Sequence, residues 1–167
     1  MLGWAAKLLQ NRNPQSVSDV SKDYNVGEIR YSAHLLDELN TQHQQLMKYY
    51  QEVVLMIKDR KIAFIQPCLQ QLYTEFKLHT MQENVRLFCY LERKHHDDAN
   101  VLNLLKQERK EAHQISIQMS HFMRKWNATE ITEQNLAALS EHFEKIADLL
   151  KQRMHDEEQS LYPIYRQ

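Results

Sequence analysis

His79 and Glu83 stand four residues apart in the stretch FKLHTMQENVRLF, residues 76–88. On a helix that spacing stacks both side chains on one face. The same face carries Leu69, Leu72, Phe76, Leu87 and Leu91, so it is a core face. An imidazole and a carboxylate are thereby aimed into an apolar interior. A buried carboxylate requires a metal ion, a cationic side chain or a proton. The chemistry on offer is metal ligation or a buried ion pair.

The elements that must position these groups are helical. The first helix is expected from about Tyr31 to Lys58, with Leu35, Leu36, Leu39, Leu46, Tyr50, Val53, Val54 and Ile57 as its apolar stripe. His43 lies at the edge of that stripe. The second runs from about Pro67, a residue suited to a helix start, to Lys94. The third runs from Asp98, an N-cap residue, to Trp126, with Val101, Leu105, Ala112, Ile115, Met119 and Phe122 apolar. The fourth starts after Thr132, where Ile131 and Leu136 make a hydrophobic staple. It continues to about Leu161, and Pro163 kinks or ends it. Long amphipathic helices with short connections give an all-α, antiparallel up-down four-helix bundle over residues 31–167. Residues 1–30 read as an N-terminal extension: a small amphipathic segment at Leu2, Trp4, Ala5, Leu8 and Leu9, then a polar linker.

Composition narrows the function. The 167 residues are 43% hydrophobic and 26% charged, as in an ordinary globular chain. Both glycines, Gly3 and Gly27, precede the bundle, which argues against a turn-rich β fold. A formal net charge of −1 gives no signal for nucleic acid. The apolar run at the N-terminus is too short for a transmembrane segment. Cys68 and Cys89 fall on one helix, roughly 30 Å apart along its axis, and cannot bridge. Free thiols point to a reducing, cytoplasmic setting. No nucleophilic triad or Gly-rich phosphate loop is present, so a binding protein is expected rather than an enzyme.

The two halves echo each other. A shift of 74 positions carries Leu72, Phe76, His79, Glu83 and Leu87 onto Ile146, Leu150, Arg153, Glu157 and Leu161. A shift of 66 carries Leu36, Leu39, His43, Leu46 and Val53 onto Leu102, Leu105, Arg109, Ala112 and Met119. The first half thus offers His43, His79 and Glu83 to the centre, and the second offers Arg109, Arg153 and Glu157. Both glutamates interrupt an apolar face.

LNTQHQQL (39–46), HTMQENVRLF (79–88) and MHDEEQSLYP (154–163) together resemble the hemerythrin-like family, including its HHE cation-binding members. The resemblance covers about Tyr31 to the end. It implies a non-haem iron site inside the bundle, with one or two ions, in a sensing or regulatory module for O₂, NO or iron. By position, His43, His79, Glu83 and Glu157 match ligand places, and imidazole and carboxylate suit iron. The fourth-helix histidine place is Arg153. The third-helix place falls on Arg109, with His113 one turn away as the alternative. Guanidinium does not ligate metal, but it pairs bidentately with carboxylates. The run from Arg153 to Glu158, with HQQLMKYY (43–50), also resembles the regulator-of-sigma-D anti-sigma family. That resemblance implies a metal-free bundle that binds a transcription component, with Arg109 and Arg153 neutralising the glutamates. His95, His96, Asp97 and Asp98 read as a solvated turn. His34, His121 and His142 read as surface or rim residues.

Overall fold

A computed structural model describes residues 30–167; the expected N-terminal extension lies outside the described residues. The chain folds as four helical rods. The first is α1, Leu35–Lys58. The second is α2, Ile62–Gln82, which passes through a π-helical segment, Glu83–Phe88, into α3, Cys89–Lys94. The third is α4, Ala99–Asn127. The fourth is α5, Leu136–Asp156, which passes through a second π-helical segment, Glu157–Leu161, into α6, Tyr162–Arg166. Short turns force successive rods to run antiparallel, the all-α up-down bundle expected from the pattern.

The helix ends show why the chain turns where it does. Asp98 caps α4, its carboxylate accepting from the backbone N–H groups of Asn100 and Val101 at 2.9 and 3.1 Å. Between α1 and α2 the chain reverses through Arg60, whose φ of 53° lies in the left-handed region. Here α2 starts five residues before Pro67, which sits inside the helix. Ile65 is fully buried, so extending the helix back to Ile62 gains core contacts. The proline sacrifices one bond near an exposed first turn. Ile131 and Leu136 are both buried at the start of α5. Pro163 does not stop the last rod. The wide turn at Glu157–Leu161 precedes it, and the helix runs on to Arg166.

Two apolar clusters fill the bundle. The larger holds Leu46, Val53, Leu72, Phe76, Met119, Phe122, Phe143 and Leu150 among others. The smaller holds Leu35, Leu36, Leu39, Leu87, Phe88, Leu91, Leu105, Leu161, Tyr162 and Tyr165. On every rod the residues between the two clusters include a buried polar group: His43, His79 and Glu83, Glu108, then Arg153 and Glu157. One polar layer is therefore sandwiched between two dry ones. The smaller cluster is latched by Tyr165, whose hydroxyl donates to Ser32 O at 3.0 Å and accepts from Ser32 N at 2.9 Å.

Candidate metal centre

The polar layer draws one face from each rod. Glu83 and Glu157 are 2% and 1% exposed, so both acids do meet in the dry middle. His43 Nε2 lies 3.2 Å from His79 Nε2 and 3.1 Å from Glu157 Oε2. His79 Nε2 lies 3.9 Å from Glu157 Oε2 and 3.6 Å from Glu83 Oε2. One donor atom each from His43, His79 and Glu157 falls within 4.8 Å of the others, and this is the one such cation-capable group of histidine, cysteine and acid side chains among the described residues. Ligands on one ion with bonds of about 2.1 Å sit roughly 3.0–4.2 Å apart as the angle between them opens from 90° to 180°, so these separations fit a shared cation.

The proton positions strengthen that fit. His43 Nδ1 lies 3.1 Å from Glu158 Oε1, and His79 Nδ1 lies 3.0 Å from Gln42 Oε1. Both partners are oxygen acceptors, so each Nδ1 carries a hydrogen. In neutral rings the two Nε2 lone pairs then face each other and the Glu157 carboxylate with nothing positive between them. The arrangement needs a cation there, or a proton on His43. Burial pulls the His43 pKa down, but Glu157 and Glu158 outweigh it and the net direction is up. Burial dominates at His79 and lowers its pKa despite Glu157. Burial would raise the Glu157 pKa, yet its contacts with the His43 and His79 rings and the charge of Arg153 hold it far below the usual carboxylate range. Glu83 goes the other way: burial, then the charge of Glu157, push it well up. Its Oε1 has no hydrogen-bond partner.

The second half of the layer is closed by arginine. Arg153 forms ion pairs with Glu108 and Glu157. Ser160 Oγ donates to Glu108 Oε1 at 2.8 Å. Burial alone would lower the Arg153 pKa, but Glu157, Glu108 and Glu83 outweigh it, so the guanidinium stays charged. A cavity of about 20 Å³, room for one water-sized group, is bordered by His79, Glu83, Arg153 and Glu157 on its polar side and by Leu46 and Phe76 among its apolar walls.

Arg109 is not in this layer, contrary to the sequence expectation. Its Nε lies 3.0 Å from Glu92 Oε1 and its guanidinium 5.0 Å from the Phe88 ring centroid, on the outer flank between the second and third rods. Glu108 takes the inward place. One residue rotates a helix by about 100°, so Arg109 turns outward when Glu108 faces in. The shift of 66 holds for the apolar residues, since Leu39 and Leu105, like Val53 and Met119, are buried; it fails where it matches His43 to Arg109. The signal was present: the stripe Val101, Leu105, Ala112, Ile115 leaves a gap at 108 that the 3–4 spacing fills. His113 and His155 are exposed. His34 and His121 are exposed too, whereas His142 is half-buried and accepts from Trp126 Nε1 at 3.1 Å. His96, Asp97 and Asp98 are exposed at the turn, as a solvated turn requires, whereas His95 is half-buried. Sequence reasoning also missed Glu158, Gln42 and Gln82, whose hydrogen bonds depend on partners from other rods.

Both π-helical segments begin at the two central glutamates, 83 and 157, so the internal repeat reaches down to backbone register. Such wide turns recur at functional sites because they re-aim side chains inside an otherwise regular helix. No helix among the described residues is long and apolar enough to cross a membrane. Residues 34–165 match the family described as hemerythrin HHE cation binding domain. No curated protein and no solved structure matches the chain.

Proposed function

The chain belongs to the hemerythrin HHE cation-binding family, and from that premise we propose that it is a non-haem iron-binding module that senses O₂, NO or iron supply and does not itself catalyse a reaction. The observation that supports this reading is the convergence of His43 Nε2, His79 Nε2 and Glu157 Oε2 at 3.1–3.9 Å. His43, His79 and Glu157 would hold the ion, with Glu83 beside His79 as a fourth ligand. Imidazole nitrogen and carboxylate oxygen suit iron among first-row metals. Bound there, iron would supply an open coordination place for a small ligand. The residues provide the rest. Glu158 and Gln42 orient the rings, the two apolar clusters exclude water, and the cavity leaves room for one small group.

The proposal is for one ion per chain, not two. Arg153 already pairs with Glu108 and Glu157 on the side where a second ion would need ligands, and its positive charge repels one there. Elemental analysis of freshly purified protein tests this. About one iron per chain, lost in His79→Ala, is expected. Protein without metal, and indifferent to chelators, would remove the reading. The half-buried free thiols Cys68 and Cys89 support a cytoplasmic setting. The rival reading, a metal-free anti-sigma-type protein with a transcription component as partner, draws support from the same arginine network. It predicts capture of such a partner by protein that holds no iron.

A further inference from the structure

His79 is held from behind by a chain of polar side chains that leads to the bundle surface. Its Nδ1 lies 3.0 Å from Gln42 Oε1. Gln42 Nε2 lies 2.6 Å from Gln82 Oε1, and Gln82 Nε2 lies 2.8 Å from Glu38 Oε2. Glu38 is ion-paired with Arg86. The chain zigzags between two rods. Glu38 and Gln42 are one turn apart on α1, and Gln82 and Arg86 are one turn apart on the second rod.

The direction of every bond follows from its outer end. A carboxylate paired with a guanidinium only accepts hydrogen bonds. Gln82 must therefore give its amide NH₂ to Glu38 and turn its carbonyl to Gln42. Gln42 must then give its NH₂ to Gln82 and its carbonyl to His79. That carbonyl requires a hydrogen on His79 Nδ1, which leaves Nε2 bare toward His43 and Glu157. Two glutamines acting as mere glue between helices would work in either direction; this chain works in one.

We propose that Glu38, Gln82 and Gln42 are positioning residues whose hydrogen-bond polarity fixes the tautomer of His79 and so keeps its Nε2 free for a cation. Metal-bound histidines are oriented through their other ring nitrogen, and losing such a partner weakens binding by about 10–100-fold. Here the fixing group, Glu38, stands two side chains away from the ring it controls. His43 is set differently, by a single contact to Glu158, whose side chain is 43% exposed.

Glu38→Lys tests the polarity without touching His79. Arg86 and Gln82 both donate to the same oxygen, Glu38 Oε2, so only a residue that cannot accept reverses the chain. An ammonium at 38 donates to Gln82, both amides then reverse, and the hydrogen moves to His79 Nε2. In full-length metal-free protein at pH 8, labelled with ¹⁵N-histidine, the wild type is expected to show His79 as the Nδ1–H tautomer. Glu38→Lys should bring in the Nε2–H form. Gln42→Leu should lose the single tautomer, whereas Gln42→Glu, which still accepts, should retain it. Co(II) binding, read by chelator competition, should weaken tenfold or more in Glu38→Lys and Gln42→Leu. An Nε2–H tautomer in the wild type, or a His79 spectrum indifferent to Glu38→Lys in a variant of unchanged helicity, overturns the proposal. The Co(II) arm rests on the cation-binding reading; the tautomer arm does not, so the two can fail separately.

Discussion

Arg153 touches Glu108 and Glu157 at once, and a guanidinium does not give up its proton inside a protein. Two of the three central acids are therefore paired with a guanidinium, whose single charge offsets one of them and leaves the other to be balanced from the histidine side. Glu83 is the exception, with one carboxylate oxygen unpartnered. Truncating Arg153 should expose how much rests on it. Arg153→Met leaves Glu108 and Glu157 buried without their cation, and urea unfolding should show a loss of about 3–5 kcal/mol. Adding Glu108→Leu removes one stranded charge and should recover part of that loss. The pKa directions also fix the pH dependence of ion uptake. In metal-free protein His43 and Glu83 both hold protons above their ordinary pKa values. A cation must displace those protons, so its binding releases them. Apparent affinity should fall as the pH is lowered from 8 to 6, and a competition titration at the two pH values checks the sign. Affinity that rises on acidification would contradict the ligand assignment.

The helical elements themselves were legible because their apolar residues recur at intervals of three and four over many turns. Asp98 was legible as a cap, and Asp98→Ala should cost about 1 kcal/mol in thermal or urea unfolding. Three features were not legible, for separate reasons. The start of α2 precedes its proline because burial of Ile65 outweighs a single lost hydrogen bond. The π-helical segments at Glu83 and Glu157 carry no propensity signal, because they are set by packing against other rods. The apolar stripe of the third rod falls where it is expected, with Leu105, Met119, Phe122 and Trp126 buried, but matching His43 to Arg109 by shift alone named the wrong polar residue. Glu108, in the gap between Leu105 and Ala112, was the inward residue. On the other rods His79, Glu83, Arg153 and Glu157 are buried on the apolar faces that carry them, and His43, expected at the edge of its stripe, is buried too.

At the scale of the molecule, the bundle is two dry clusters with a charged layer between them. The layer is asymmetric although the chain repeats itself. His79 and Glu83 correspond to Arg153 and Glu157, so a side chain that can ligate is matched by one that replaces an ion. Restoring the symmetry should restore the second place. The double change Glu108→His with Arg153→His supplies two imidazoles beside Glu157 and removes the internal cation. Metal stoichiometry should then rise from one ion per chain to two. The most direct test is equilibrium dialysis of the wild type and His79→Ala against Fe(II) without oxygen. One tightly held ion per wild-type chain and none in the variant is the predicted result; no ion in the wild type, or equal binding by both proteins, would contradict it.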